Sequence, residues 1–490
     1  MTPTIEQHRL YPLTCPRSIA FFGASNNYSS MGTIILRALL DFGYAGEVFP
    51  VHPKETTVQD LKAYARVEDI PAVPDLAVVV LPTRIVCETM AVCGEKGIRN
   101  AIIVSGGFKE TGPEGAGREK ELIRIADQYG IRIIGPNCLG VTNTHHRLNT
   151  TPHRYHGQAG FVGLASQSGS FVTQMFTYLD NLGLGFSTAF SIGNEANTDL
   201  VDCLEYLGAC PHTRVIALYV EAIRRGREFV ETARRIVPHK PIVALYVGGS
   251  ETGRKAALSH TGSMSGPDDL YDGIFRQSGV VRAASLAELF DFCMAFGQLP
   301  EPAGDNVFVQ THSGGPGAVA ADACGRAGLM LPEPSESTKA RIAELVPATG
   351  SIRNPIDVTF TKDIVQFFSS LPQALLDDPQ CHLLLLYYYL PADMIKRALV
   401  RMGVPRQDLD AKIEEIAKMM CDNIRQMIDS RKKPIVCFSY QERGETAMKM
   451  LAQAGIPFYQ GPERAIRSIR AMIDYRNYKR KLAAQVAGIR

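Results

Sequence analysis

No CxxC pair and no regular cysteine spacing occur in this sequence; its eleven cysteines are scattered. That pattern indicates neither a zinc site nor a disulfide framework, and it fits reduced thiols in a cytosolic protein. Runs of like charge are missing too. The 52 Lys and Arg balance 50 Asp and Glu to a formal charge of +2, which points away from nucleic acid and from a membrane surface. Long hydrophobic runs are absent: the strongest candidate, Leu383 to Leu390, is far too short to span a bilayer. The opening stretch, Met1 to Cys15, is polar and proline-containing, unlike a secretory signal. A cytoplasmic protein without a resident metal is the expectation.

What is present is a chain of 490 residues, 45% hydrophobic and 21% charged. Its length calls for two to four domains, and its composition is that of a globular protein. Short apolar runs alternate with longer amphipathic segments, the pattern of parallel sheets with crossover helices. Strands are expected at Ile19–Phe22, Val48–Val51, Leu76–Leu81, Ala101–Val104 and Arg132–Ile134, with helical spacing over Thr33–Phe42 and Glu119–Tyr129. The rhythm restarts at Gly160, with strands at Phe161–Ala165, Phe186–Ser191, Val215–Val220 and Pro241–Val247. A proline-rich stretch, Leu299 to Asp305, reads as a linker. A third unit follows, with strands at Val307–Gln310, Leu383–Tyr389 and Pro434–Phe438 and a long charged helix between Gln407 and Ser430. The expected fold is α/β: three consecutive doubly wound parallel-sheet domains over residues 1–150, 151–300 and 301–490.

The turns after the strands carry the chemistry. After the first strand come Gly23, Ala24 and Ser25, then Gly32 at the start of a helix. Such a turn lets backbone amides approach a phosphate. It is not GxGxxG, and the second strand ends at Lys54 rather than at a carboxylate. A lysine there suits a phosphorylated ribose, as in NADP or coenzyme A; a solvated lysine is the plain alternative. Pro82, the run Ser105-Gly106-Gly107-Phe108, and Asn137-Cys138 end later strands of the same domain, at the edge where a doubly wound sheet takes ligands. Cys138 is either a nucleophile or, more in keeping with its turn, a packed thiol.

In the second domain Ser168, Gly169 and Ser170 link a strand to a helix, which makes either a phosphate cradle or a serine N-cap. Gly314, Gly315 and Gly317 repeat the device in the third domain, beside the turn residue His312. Glu195 and Glu221 each follow a strand, where a carboxylate can hold one imidazole nitrogen while the other reacts. The imidazole is His260, set among small and hydroxyl residues from Ala256 to Gly266: a phosphohistidine site, or a surface loop that happens to hold a histidine.

Taken together these residues resemble the NDP-forming acyl-CoA synthetases, most closely the alpha subunits of the ADP-forming acetate–CoA ligases, and more distantly succinyl-CoA synthetase. The likeness runs from Pro16 to Tyr478 and rests on Gly23-Ala24-Ser25, Pro53-Lys54, Gly107-Phe108, Gly135-Pro136-Asn137-Cys138, Ser166-Gln167-Ser168-Gly169, Gly193-Asn194-Glu195, Ser259-His260-Thr261-Gly262, Gly314-Gly315-Pro316-Gly317 and Asn354-Pro355-Ile356-Asp357, in family order. It implies a Rossmann-like CoA-binding domain followed by two flavodoxin-like ligase domains. His260 is then the phosphorylated residue, Glu221 its supporting carboxylate, and the two glycine-rich helix starts the phosphate site. His52, Thr83, Gly106 and the pair His312-Ser313 depart from the family pattern, which leaves the acyl group open.

The resemblance also implies a separate ATP-grasp beta subunit that carries ATP or ADP with Mg2+, an α2β2 assembly, and a small carboxylic acid, CoA and phosphate as substrates. Two other classes stay on the table: a non-catalytic CoA-binding scaffold, and an NADP-dependent oxidoreductase built on the first domain.

Overall fold

The computed structural model describes residues 4–253, 266–359 and 363–488; His260 and its neighbours lie outside the described residues. The chain divides into two compact units. One comprises Met1–Asp180 with Leu184–Leu289, the other Asn181–Gly183 with Phe290–Arg490.

The first unit holds two sheets. In one, five parallel strands lie in the order Glu47–Val51, Ser18–Phe22, Leu76–Val79, Asn100–Ile103 and Arg132–Ile134. Helices cover both faces of such a sheet, so its strands read as continuous apolar runs rather than alternating ones. Ile19, Ala20 and Phe21 are accordingly all fully buried. The helices are Met31–Asp41, Thr83–Lys96 and Pro113–Tyr129. Ser30 caps the first by accepting the Thr33 amide.

The second sheet has the strand order Val281–Ala283, Ile242–Tyr246, Val215–Val220, Val162–Ser166, Phe186–Ser191, Val141–Asn143 and Leu148–Asn149. The first five of these are parallel; the last two form an antiparallel edge. That edge is a departure from an all-parallel expectation. It also brings residues 141–149, expected within the first domain, into the second sheet. Thr142, Asn149 and Thr150 are fully buried there and bond to one another's strand, so a polar stretch that resembles a loop in sequence is stable as an edge hairpin.

The second unit is built on five parallel strands in the order Ile356–Asp357, Val307–Thr311, Leu383–Tyr387, Ile435–Ser439 and Phe458–Gln460. The charged helix expected from Gln407 to Ser430 spans Leu409–Arg431, and a helix over Pro462–Gly488 follows the last strand. Each of the three sheets places its first parallel strand between its second and third. The crossovers leave in opposite directions at that point, which opens a crevice at the carboxyl ends of the first and third strands. Gly23 and Pro82, Ser168 and Glu221, and His312 and Tyr389 occupy those three crevice edges. Among the described residues no helix is long and apolar enough to cross a membrane.

Candidate active site

Within the first unit, the carboxyl edges of its two sheets are stitched together by backbone. The Gly135 amide donates to Ile192 O (3.1 Å), the Asn194 amide to Pro136 O (2.8 Å) and the Ala196 amide to Gly135 O (3.1 Å). The contact is so close that a Cβ on Gly193 would sit 2.4 Å from Pro136 O; only glycine lets the two turns meet. Beside this seam lies a cavity of about 250 Å³. Its lining includes Asn137, Gly169, Glu195 and Glu221, and so joins residues that are distant in sequence. Drug-sized ligand pockets start at roughly 300 Å³, so this one accommodates a small anion or acyl group rather than a whole CoA.

Gln167 organises the floor. Its Oε1 accepts the backbone amides of Glu221 (2.6 Å) and Ala222 (3.0 Å). Its Nε2 donates to Ala222 O (2.7 Å) and to Glu195 Oε1 (3.1 Å). The same carboxylate oxygen accepts the Leu200 amide (3.0 Å), and Arg224 Nε stands 3.3 Å from Glu195 Oε2. Burial pushes the Glu195 carboxyl up from its ordinary value, with Arg224 opposing. Glu195 also holds a left-handed backbone, φ 57°, which costs a non-glycine residue roughly 1 kcal/mol. Glu221 is 7% exposed and lines the same cavity.

The cradle at the second sheet starts with the helix Gly169–Asn181. Ser166 Oγ accepts the Ser168 amide (3.2 Å) and donates to Ser168 O (2.8 Å), which fixes the turn that aims the helix start at the cavity. Thr311 does the same in the second unit, accepting the Ser313 amide (3.1 Å) and donating to Ser313 O (2.8 Å) ahead of the helix Gly314–Arg326. A Cβ on Gly315 would meet nothing within 4 Å. The chain's own packing therefore does not demand glycine at that helix start. His312 lies against Tyr387 and Tyr389, at ring distances of 4.7 and 5.1 Å.

Of the residues expected to hold a cofactor, Gly23, Ala24, Ser25, Lys54 and Pro82 follow strands at the crevice of the first sheet, whereas Asn137 and Cys138 line the cavity at the seam. Gly32 packs on the Gly23 turn so tightly that a Cβ would lie 2.1 Å from Gly23 O. Ser25 is fixed by Thr33, whose Oγ1 accepts its amide (3.0 Å) and donates to its carbonyl (2.9 Å). Lys54 and Pro82 are exposed, and Ala24 is buried. His52, found where asparagine is usual, accepts the amides of Lys54 (3.3 Å) and Glu55 (2.9 Å) on Nδ1, so it braces this turn as an asparagine side chain does. Thr83 Oγ1 donates to Gly106 O beneath the Gly106-Gly107 turn.

Three of the expected contacts have their side chains committed to the fold. Ser105 Oγ donates to Leu81 O (2.6 Å) and accepts its amide (3.0 Å). Phe108 is fully buried in the core of this sheet. Cys138 is 2% exposed, donates to Ile103 O (3.3 Å), and burial pushes its thiol up to about 12. Its burial, its hydrogen bond and the direction of that shift are those of a packed thiol rather than a nucleophile.

Sequence reasoning passed over Lys109 and Arg224, which line the cavity as well, and quoted Asn194 only as part of the Gly193-Asn194-Glu195 motif. Asn194 Nδ2 donates to Glu110 Oε2 (2.6 Å) and Glu119 Oε2 (2.8 Å). The signal for Lys109 was its place directly after Gly107-Phe108; Arg224, three residues beyond Glu221, gave none.

Two family models match segments of this chain. Residues 17–144 match the family model of a CoA binding domain, and residues 159–296 that of a succinyl-CoA ligase like flavodoxin domain. The chain is 37% identical to the alpha subunit of ADP-forming acetate–CoA ligase I of Pyrococcus furiosus, covering 95% of this chain and 97% of that one. It is 34% identical to ADP-forming acetate–CoA ligase I of Archaeoglobus fulgidus, a longer protein of which it spans 63%. Among solved structures, a dinucleotide-forming acetyl-coenzyme A synthetase 1 of Ca. Korarchaeum cryptofilum, in complex with phosphate and ADP, superposes with a TM-score of 0.86 at 32% identity, over 97% of this chain and 98% of that one.

Proposed function

Since the chain belongs to the family of ADP-forming acetate–CoA ligases, two of whose alpha subunits match it over 94% and 95% of its length, we propose that it is the subunit that interconverts acyl-CoA, ADP and phosphate with a carboxylic acid, CoA and ATP through phosphorylated His260. It is an acid–thiol ligase with a CoA-binding domain. The observation that carries the reading is the convergence of Glu221, Glu195 and the start of the helix Gly169–Asn181 on one small cavity.

The steps follow from those groups. A phosphate oxygen attacks the thioester carbonyl carbon, the C–S bond breaks, and CoA leaves as the thiolate. The resulting acyl phosphate lies at Ser168, Gly169 and Ser170, where backbone amides and the helix dipole offset its charge. An imidazole nitrogen of His260 then attacks phosphorus and the carboxylate departs. Glu221 holds the other ring nitrogen and stabilises the cationic ring. Glu195 acts one step back, through Gln167, by fixing the turn that carries Glu221. Such catalysis is positioning and charge neutralisation more than covalent work by the protein. Gly314, Gly315 and Gly317 supply a second phosphate cradle of the same design. CoA lies along Gly23, Ala24, Ser25, Lys54 and Gly106-Gly107, with Lys54 on its ribose phosphate.

Relatives named as alpha subunits imply a partner subunit. The reading assigns to it the ATP-grasp fold, the nucleotide and Mg2+, in an α2β2 assembly; the longer Archaeoglobus relative has room for such a module in one polypeptide. The substrate is a small carboxylic acid, and the reaction takes place in the cytoplasm. The test is phosphate transfer: the chain, its partner, labelled ATP and Mg2+ give an acid-labile, base-stable label that CoA plus a carboxylate discharges. Loss of the label in His260→Asn supports the reading; an unlabelled wild-type chain beside an active partner refutes it.

A further inference from the structure

Two cations meet on one short turn at the wall of the cavity. Lys109 Nζ and Arg224 Nη2 both donate to Asn194 O, the latter at 3.0 Å, and Arg224 Nη1 donates to Glu195 O at 2.9 Å. Lys109 enters from the first sheet's side, just after the Gly107-Phe108 turn, and Arg224 from the turn that follows Glu221. The Gly193-Asn194-Glu195 backbone is therefore a shared tether that fixes both charged heads in the lining of the cavity that Gly169 also lines.

The tether does not exhaust their donors. A guanidinium has five N–H groups and an ammonium three. Arg224 spends one N–H on each backbone carbonyl and turns Nε toward Glu195 Oε2 at 3.3 Å. One N–H on each terminal nitrogen is left over. Lys109 has Asn194 O and, more distantly, Glu119 Oε1 at 3.5 Å.

The nearby carboxylates are shared with other donors: Glu119 Oε1 and Glu195 Oε2 face Lys109 and Arg224, while their second oxygens are taken elsewhere. Glu119 Oε2 accepts from Asn194 Nδ2, and Glu195 Oε1 from Gln167 and Leu200. Glu110 accepts from Asn194 and from the Gly107 and Phe108 amides. Burial and then the neighbouring Arg224 lower the lysine's proton affinity. Two like charges held together at a cavity wall repel one another, and an anion with several oxygens between them removes that cost.

We propose that Lys109 and Arg224 are the side chains that bind inorganic phosphate, and the phosphoryl group of the acyl phosphate, together with the helix start at Ser168, Gly169 and Ser170. This deepens the ligase reading and rests on it for the identity of the anion. A volume of about 250 Å³ is roughly that of eight waters, which suits phosphate with a short acyl group. The arrangement gives one anion in the cavity both a helix terminus and two tethered cations. Arg224, next to the Glu221 turn, sets the phosphoryl group beside the carboxylate that supports the histidine.

The test is titration of inorganic phosphate into the full-length chain by calorimetry, paired with steady-state kinetics on the assembled enzyme. Arg224→Met and Lys109→Met remove the charges; Arg224→Lys keeps a charge and a donor, and melting curves report folding. The proposal expects phosphate affinity and the phosphate KM to weaken tenfold or more in Arg224→Met, and three- to tenfold in Lys109→Met. Arg224→Lys falls between, and the acyl-CoA KM stays within twofold throughout. Turnover with an unmoved phosphate KM overturns the proposal and leaves the ligase reading standing. A loss of phosphate affinity matched by equal losses in acyl-CoA KM and melting temperature also overturns it, since a mere tether behaves that way. Charge-dependent phosphate binding in a chain that yields neither acyl phosphate nor ATP keeps the anion site and sinks the ligase reading.

Discussion

Gln167 Oε1 accepts the backbone amide of Glu221 at 2.6 Å. That bond ties the turn after the first parallel strand of the second sheet to the turn after its third, across the crevice where such sheets take ligands. The partner bond from Gln167 Nε2 to Glu195 extends the tie to a third turn. One carboxamide thus registers three turns from different strands.

Replacing it with an apolar isostere tests this directly. Gln167→Leu leaves the Glu221 and Ala222 amides without their acceptor in a buried site, a loss of roughly 3 kcal/mol in denaturant unfolding. A shift of the Glu221 turn by about 1 Å slows phosphoryl transfer to His260 by roughly 10²-fold, read by rapid-quench labelling. A variant with wild-type transfer and full stability contradicts the registering role.

Glu195 carries a pH signature. Burial raises its folded pKa above the ordinary 4.5, so across that window the native state binds more protons than the unfolded one. Stability from this group is then full below the ordinary value and is lost as pH rises through the folded pKa. Glu195→Gln keeps an oxygen acceptor for Gln167 and Leu200 but does not titrate. The melting temperature of the wild type relative to Glu195→Gln is expected to fall as pH rises from about 4 towards 8; a flat or rising difference contradicts this.

Cys138 is expected to stay unmodified. With its thiol pushed up to about 12 and only 2% exposed, it does not react with iodoacetamide at pH 8 while the chain is folded. Cys15 and Cys87, the two cysteines that are not buried, react first. Mass-spectrometric mapping of the alkylated sites decides the point, and rapid native labelling of Cys138 contradicts the geometry.

Gly32→Ala places a methyl 2.1 Å from Gly23 O, where backbone rather than a flexible side chain must give way. The expected result is a loss of roughly 2 kcal/mol and a fall of tenfold or more in CoA affinity by calorimetry, with phosphate binding at the other cavity preserved. Unchanged CoA affinity removes the Gly23 turn from the cofactor site.

Much of this was legible in the chain itself. The strand Val215–Val220 follows from an unbroken apolar run, because a strand buried on both faces needs few polar positions. Residues 141–149 were not legible as strands. Their threonines and asparagines are polar, and only the neighbouring sheet supplies the hydrogen bonds that make them an edge. The two-residue strand Ile356–Asp357 was hidden for the same reason: it exists as a pairing with Gln310 and Thr311 and has no periodicity of its own.

The sequence by itself determined the α/β class, the glycine-rich helix starts, and the family order of the motifs, since each depends on local rules of turn and helix geometry. Tertiary structure alone decided which of the motif side chains are committed to the fold. Ser105, Phe108 and Cys138 look like cofactor contacts in a string of letters, yet they spend their side chains on the fold. Lys109 and Arg224 look like ordinary surface charges, yet both reach the Asn194 carbonyl. That difference depends on distances between residues 24 to 85 positions apart, and such distances are set by how strands pair and turns dock.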